Sequence, residues 1–482
     1  MNYKMVRYVL AKVLLLEAAL MSLPLLCALI YKSESTGAFL STIFFTTFFA
    51  FVFSVRQPKD TMIQAKEGFV IVAASWIIMS IFGCMPFVFS GAIPNPVNAF
   101  FETVSGFTTT GASILSNVEA LDHALLFWRS FTHWIGGMGV LVFILAILPL
   151  SKKNNMYLMR AESPGPSVGK LVPSMKKTAT ILYAIYFVMT VIEILVLYFF
   201  CDMPMFDSIL HSFGTAGTGG FGIKNSSIGY YDSAAVDYVI GTFMLLFGIN
   251  FNAFFFIMIG KIKDAFAIEE VRAYLGIVIV SVILIAWNIL PQYSSFLEAV
   301  RYAYFQVASI ITTTGYATTD FDLWPSFSKT IIVLLMFCGA CAGSTGGGIK
   351  VSRIMILVKY QLSEIKRMVN PRRVHVLKSE GKVVDSDVLS GVQGFFAAYM
   401  FILLGCTLLI SLDGFDFTTN FTAVLSCISN IGPGLGMVGP TCNFSIYSDL
   451  STLLMSFVML AGRLELFPML ILFNPALYKK GN

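Results

Sequence analysis

Apolar runs of about 20 residues, the length a helix needs to cross roughly 30 Å of hydrocarbon, recur from one end of this 482-residue chain to the other. Ten stretches qualify as membrane spans, at 7–30, 38–55, 67–90, 124–150, 177–200, 235–260, 272–290, 327–349, 391–411 and 446–473. Between each even-numbered span and the next lies a basic loop: Arg56 to Lys66, Lys152 to Lys177, Lys261 to Arg272, and Lys350 to Lys382. The segment from Leu412 to Leu450, on the opposite face, has no Lys or Arg. Basic residues collect on the cytoplasmic side, so these four loops and, with an even number of spans, both termini are expected there. Lys4, Arg7 and Lys12 at one end and Lys479 and Lys480 at the other agree.

The opposite face carries a second pattern. Its last four segments each hold an apolar, aromatic run too short to span, followed by a turn of small residues: NAFFETVSGFTTTGASI at 98–114, PMFDSILHSFGTAGTGGFGIKN at 204–225, SSFLEAVRYAYFQVASIITTTGYATTDF at 294–321 and FDFTTNFTAVLSCISNIGPGLGMVGP at 415–440. Aligned on Gly111, Gly220, Gly315 and Gly432, the turns are 109, 95 and 117 residues apart, as those residue numbers differ. That spacing suits a span, a re-entrant half-helix, a turn and a returning span. The expected fold is an all-α polytopic membrane protein: four helix, pore-loop, helix repeats at 61–150, 151–265, 266–382 and 383–482 around a central pore, preceded by two extra spans in 1–60.

The turns favour a cation. A half-helix that ends inside the membrane directs its carbonyl end, worth about half a negative charge, at the centre of the assembly. The residues that follow, Thr108-Thr109-Thr110-Gly111 and Thr312-Thr313-Thr314-Gly315, combine hydroxyls with a flexible Gly, so that extended backbone can turn carbonyls toward an ion. Irregular backbone at this depth is tolerated only along a water-filled path or buried in protein. One Thr/Gly run alone reads equally as a close helix contact; four at a regular spacing do not.

Composition narrows the picture. With 57% hydrophobic residues, 12% charged residues and a mean hydropathy of +0.79, the chain is built for a lipid bilayer. A formal charge of +5 dispersed in short loops excludes a nucleic-acid partner, and eight scattered cysteines imply no disulfide framework. Gly217 to Gly222 fits GxGxxG, but without a βαβ unit around it, and Gly343 to Lys350 imitates a phosphate loop only imperfectly. Cys338 and Cys341 form a CxxC within a span, and His123, His133, His211 and His375 form no metal pattern. No clustered nucleophile, base or metal set is present, so an enzyme is not expected, and no covalent cofactor is implied. Glu17 and Glu193, inside spans, serve either inter-helix hydrogen bonding or ion coupling.

Several of these motifs, in this order, resemble the Trk/Ktr/HKT superfamily of potassium transporters, and the two extra N-terminal spans favour its bacterial Trk branch over the shorter Ktr pattern. The carriers are SGFTTTGAS, TGGFG at 218–222, SIITTTGYAT, GACAGSTGGGIK at 339–350, SNIGPGLG at 429–436 and GRLELFP at 462–468. The resemblance implies one chain folded like a potassium-channel tetramer, with K+ as substrate. Its selectivity filter would comprise Thr108, Thr109, Thr110 and Gly111; Gly217, Thr218, Gly219 and Gly220; Thr312, Thr313, Thr314 and Gly315; and Ser429, Asn430, Ile431 and Gly432. Of these, Thr109, Thr110, Thr218, Gly219, Thr313, Thr314, Asn430 and Ile431 would contact the ion. The fourth segment registers on either Gly432 or Gly434. Gly at the first filter goes with potassium preference in this superfamily.

The ten small residues from Gly339 to Gly348 break an inner helix, since three adjacent glycines cost about 1 kcal/mol each relative to Ala. Tight helix packing through small residues is the competing reading; the resemblance makes them an intramembrane gate: Gly339, Gly343, Ser344, Thr345, Gly346, Gly347 and Gly348, with Lys350 and Arg463. Arg463, alone in LLMSFVMLAGRLELFPML, either faces the pore or pairs with Glu465 near the helix end. The resemblance further implies a bacterial inner-membrane homodimer on a ring of cytoplasmic nucleotide-binding, TrkA-like subunits. The basic loop from Lys350 to Lys382 is then either the docking surface or a topology-fixing charge run. A secondary transporter of another solute that uses re-entrant loops is the rival expectation, and channel-like flow and ion-coupled symport both remain open.

Overall fold

The structure, a computed structural model, describes residues 1–55, 58, 63, 65–139, 175–371 and 376–475. Most of the basic loop from Lys152 to Lys177, the end of the fourth expected span (140–150), and Arg56, Arg372, Arg373, His375, Lys479 and Lys480 lie outside the described residues.

Helices α1 (Tyr3–Leu20) and α2 (Ser22–Tyr31) join through a helical Met21 into one apolar rod that packs on α3 (Thr36–Ser54). One face of α3 displays Phe44, Phe48 and Phe51. In water such a stripe would demand a partner, whereas in a bilayer lipid tails cover it.

Four units of one plan follow. The first is α4 (Ala65–Gly83) extended by α5 (Met85–Phe89), a short α6 (Pro96–Phe107) and α7 (His123–Gly137). The second is α8 (Met175–Phe200), α9 (Met205–Gly217) and α10 (Ala234–Phe247), trailed by α11 (Phe251–Met258) and α12 (Ile262–Ala267). In the third, α13 (Glu269–Ile289), α14 (Phe296–Ile311) and α15 (Ser326–Cys338) are followed by α16 (Val351–Val369) and an antiparallel hairpin of β1 (Lys378–Ser379) and β2 (Lys382–Val383). The last comprises α17 (Ser386–Ile410), α18 (Phe417–Ser429), α19 (Asp449–Arg463) and α20 (Phe467–Ile471).

Helix starts follow local chemistry. Asn95, Ser295 and Asp416 cap the half-helices α6, α14 and α18, and Asp122, Ser233 and Ser448 cap the inner helices α7, α10 and α19, each through a side-chain oxygen on a first-turn N–H. Pro96 adds a pre-set φ at the first position of α6.

Six of the expected spans are helices long and apolar enough to cross a membrane: Tyr3–Tyr31, Thr36–Ser54, Lys66–Phe89, Lys177–Phe200, Glu269–Gln292 and Ser386–Asp413. The other four are the inner helices, and there the continuous spans expected from hydropathy need correction. The stretch 235–260 bends by 93° between α10 and α11. The stretch 327–349 stops at Cys338, and what reads as basic loop from Lys350 onward begins with the helix α16. The stretch 446–473 breaks after Arg463, where Glu465 and Leu466 take positive φ. The inner helix of the first unit is described only to Gly139. An apolar count registers length but is blind to such internal breaks, because interrupted segments at this depth stay apolar wherever protein rather than lipid surrounds them.

Against lipid, apolar burial between helices drives little association, so close backbone approach and buried polar bonds do the holding. Trp128 on α7 donates to the Gly83 carbonyl at 2.9 Å, and a side chain on Gly137 would stand 2.7 Å from the Cα of Gly217.

Candidate functional site

All four half-helices end in the same way. One or two residues past each helix, Thr109, Thr218, Thr313 and Asn430 adopt left-handed conformation, with φ of 54°, 53°, 59° and 56°. Two residues later Gly111, Gly220, Gly315 and Gly432 take φ of 81°, 75°, 85° and 106°. The intervening residue donates its N–H five residues back: Thr110 to Ser105 at 2.9 Å, Gly219 to Gly214 at 2.8 Å, Thr314 to Ser309 at 2.9 Å and Ile431 to Ser426 at 3.0 Å. The left-handed residue itself bonds three back, as Thr109 does to Gly106 at 3.1 Å. This is a Schellman motif at every half-helix, with β-branched Thr at three of the sites where Gly is usual. Such a conformation costs about 1–3 kcal/mol per residue and persists only where its surroundings over-determine it. The fourfold signature also fixes the register that the sequence left open: Gly432, not Gly434, corresponds to Gly111.

The four turns close into a ring. A side-chain carbon added to Gly111 would strike the carbonyl oxygen of Gly219, one on Gly220 that of Thr314, one on Gly315 that of Ile431, and one on Gly432 would lie 2.9 Å from that of Thr110. Each glycine thus abuts the preceding carbonyl of the next unit in the order one, two, three, four and back to one. The same four glycines line a cavity of about 180 Å³ on the side where the chain leaves the turns, with room for several waters at roughly 30 Å³ each. Thr108 and Thr312 tie their hydroxyls to those of Thr110 and Thr314, both at 2.8 Å, and Asn430 donates to the Thr110 hydroxyl at 3.0 Å. In the second segment Thr218 bonds back to the Gly217 carbonyl. Ser429 meets the Tyr399 hydroxyl at 2.7 Å.

Beneath the ring lies the segment from Gly339 to Lys350. A side chain on Gly346 would stand 2.9 Å from the Thr312 carbonyl, and one on Gly347 would strike that of Ser429. Gly347 donates its N–H to the Thr313 hydroxyl at 2.7 Å. The break in the second inner helix holds this loop from the side: Cys341 donates to the Gly248 carbonyl at 3.0 Å, Phe251 to that of Gly343 at 3.1 Å, and the Thr345 hydroxyl to that of Phe247 at 3.3 Å. Gly339, Gly343 and Gly348 have positive φ, and the Ser344 hydroxyl donates to the Cys341 carbonyl at 2.6 Å. Buried Lys350, also at positive φ, turns its ammonium back onto the Gly346 carbonyl.

Arg463 faces inward. Its guanidinium donates to the Thr345 carbonyl at 2.8 Å and to the Gly136 and Gly137 carbonyls at the negative end of α7. Glu465 does not pair with it; that carboxylate takes Arg353, whose guanidinium lies 4.0 Å over the Phe395 ring.

Sequence reasoning missed three parts of this arrangement. One is the bend at Gly248–Asn250, signalled only by a Gly and an Asn inside an apolar run. Another is Glu270, whose buried carboxylate accepts from Ala342 at 2.7 Å and Ser352 at 3.0 Å and so clasps both sides of the loop. The third is the ion pair of Glu102 with Arg129 at 2.7 Å, behind the first turn. Cys338 and Cys341 are free buried thiols, and no group of His, Cys, Asp or Glu among the described residues could hold a metal ion. Glu17 lies behind the first half-helix, where its carboxyl would stand 3.0 Å from a side chain on Gly83.

Fold and site together define a single-chain membrane protein with four pore-helix repeats, a closed ring of carbonyl-bearing turns and a loop across the path below it. Residues 35–294 and 291–479 match the TrkH family of cation transport proteins. The chain is 37% identical over 491 residues to the Trk system potassium uptake protein TrkH of Salmonella typhimurium, and 36% over 490 residues to that of Escherichia coli K12, with full coverage of both chains in each case. The crystal structure of the potassium transporter TrkH from Vibrio parahaemolyticus superposes with a TM-score of 0.89 at 33% identity, over 99% of this chain and all of that one. The chain belongs to the TrkH family.

Proposed function

We propose that this chain is the membrane subunit of a potassium uptake system, conducting K+ through the four-turn ring and gated by the loop from Gly339 to Gly348. The observation that carries the reading is the ring itself: four half-helix carbonyl ends and four left-handed turns close head to tail above a hydrogen-bonded plug. In this reading the carbonyls of Thr109, Thr110, Thr218, Gly219, Thr313, Thr314, Asn430 and Ile431 replace the hydration shell of the ion, and the helix dipoles offset its charge. Relatives of matching length that are named for potassium uptake support the choice of ion. The gate comprises the loop, Lys350 and Arg463; a fixed cation under the ring opposes ion passage.

The proposal places the chain in the bacterial inner membrane as a homodimer with both termini cytoplasmic. Nucleotide-dependent control comes from a separate cytoplasmic subunit that engages the basic surface of α16 and the hairpin after it. Rubidium uptake into proteoliposomes, with sodium as competitor and with and without a proton gradient, tests the function. Uptake blocked by K+ but not by equal Na+ is expected, and the gradient arm separates coupled from passive flow. Uptake of neither ion by monodisperse protein carrying the Thr345–Gly347 deletion would sink the proposal.

A further inference from the structure

The residue nine positions before the filter glycine is equivalent in all four units, and it is Glu102, His211, Gln306 and Ala423. Of the four, only the first carries a carboxylate, and it bonds the backbone that leaves its own turn. Glu102 is buried and accepts at both oxygens: from the Ser113 hydroxyl at 2.9 Å, the Ile114 N–H at 2.9 Å and the Arg129 Nε at 2.7 Å. Arg129, equally buried, reaches on into the second unit, where it donates to the Gly222 carbonyl at 2.8 Å and lies 3.5 Å over the Phe221 ring. One turn further along α7, His133 makes a second rung. Its Nε2 accepts the Phe221 N–H at 3.2 Å, which leaves Nδ1 to donate to the Gly106 carbonyl at 2.8 Å. Elsewhere the bonds at this level are neutral: Gln306 donates to the Thr318 hydroxyl at 3.4 Å, His211 meets the Tyr231 hydroxyl at 3.1 Å, and Ala423 offers none.

We propose that the Glu102–Arg129 ion pair, with His133 beside it, is a positioning device that fixes the distance between the first and second filter segments and so sets the discrimination between K+ and smaller cations. The inference rests on the filter reading above. A ring of carbonyls selects by the size and field strength of its cage, and a cage relaxes wherever its wall yields. A buried pair with every hydrogen bond satisfied is stiff, whereas half of it is an uncompensated charge. Gly219 and Gly220 have no side chain to brace the second segment from within, so its exit backbone at Phe221 and Gly222 is held from α7 instead.

The test compares rubidium and sodium uptake by proteoliposomes carrying wild-type protein, the Glu102→Gln/Arg129→Met double variant, Arg129→Lys, and Gly111→Ser. The double variant removes both charges at nearly constant volume and keeps an acceptor for Ile114. Its Rb+/Na+ flux ratio should fall by about fivefold, as the loss of a net hydrogen bond's worth of constraint implies. Arg129→Lys, which keeps the charge and loses the planar fork, should fall less. A purely structural role would lower both fluxes together and leave the ratio alone. An unchanged ratio in folded double variant, or in Arg129→Lys if the double variant cannot be purified, overturns the inference while a shifted Gly111→Ser leaves the filter standing. If Gly111→Ser is silent too, the filter reading falls and this inference with it.

Discussion

Three threonines and an asparagine are held left-handed in the ring, and two of them, Thr313 and Asn430, make side-chain bonds that glycine could not. The Thr313 hydroxyl accepts the Gly347 N–H and so ties the filter to the loop beneath it, whereas the equivalent Thr109 hydroxyl is buried without a hydrogen-bond partner. Thr313→Val keeps shape and backbone cost but deletes that tie, leaving an unsatisfied buried N–H worth about 1–3 kcal/mol. Basal rubidium leak should therefore rise for Thr313→Val and stay near wild type for Thr109→Val; equal leak in the two would break the link between filter and loop. The glycines make a second comparison. An Ala carbon at Gly432 would lie 2.9 Å from the next carbonyl oxygen, a milder clash than the one at Gly111, so Gly432→Ala should retain more Rb+/Na+ selectivity than Gly111→Ala in paired flux assays. At this scale the Thr-Gly turns were legible as the four corresponding turns of one ring because hydroxyls and glycines recur at a fixed spacing. The left-handed positions were not, since three of the four are β-branched Thr, which disfavours positive φ, and the register of the fourth segment needed backbone angles to separate Gly432 from Gly434.

Among elements, the half-helices and outer helices were readable because length, apolarity and end signals agree in them, as Asn95-Pro96 before α6 illustrates. The inner helices were not, since their breaks are set by tertiary partners. Asn250 caps α11, while Phe251 and Gly248 spend the backbone groups freed by the 93° bend on Gly343 and Cys341. Each break satisfies the other, and neither sequence alone announces it. The same holds at the N-terminal end of α13. Glu380, at the turn of the hairpin, accepts the Glu269 and Glu270 N–H groups at 2.9 and 3.0 Å, Lys359 on α16 pairs with Glu269, and Glu270 clasps the loop. Two carboxylates thus link an exposed hairpin to the loop under the filter. Glu270→Gln should raise basal leak less than Glu270→Ala, because both N–H groups meet on one carboxylate oxygen and the amide oxygen can still accept them. Glu380→Ala, which unties the start of α13 without touching the loop, should raise it by a factor of about five if the cap is worth ~1 kcal/mol. Wild-type leak in both Glu270 variants would show that the loop keeps its place without them.

Over the whole molecule, the loop bonds to the second and fourth units directly and is joined to the first through Arg463. Through Arg463 it reaches α19 and the end of α7, through Gly248, Phe247 and Phe251 the bend of the second unit, and through Thr313 the ring above. A plug so placed blocks the path only while these bonds hold, and regulation requires an open state within a few kcal/mol of the closed one. Arg463 clamps the Thr345 carbonyl to those of Gly136 and Gly137, and in the proposed function it also stands as a fixed cation against the ion. Deleting Thr345, Gly346 and Gly347 removes the plug and half of the clamp together; Arg463→Ala removes charge and clamp but leaves the plug. Each change should raise rubidium flux in liposomes lacking any regulatory subunit, the deletion by more. Because both act on one constriction, the combination should exceed the deletion by less than the effect of Arg463→Ala alone. Fully additive effects would mean that Arg463 acts on the ion at a second, separate barrier, and the clamp between loop and α7 would then carry no part of closure.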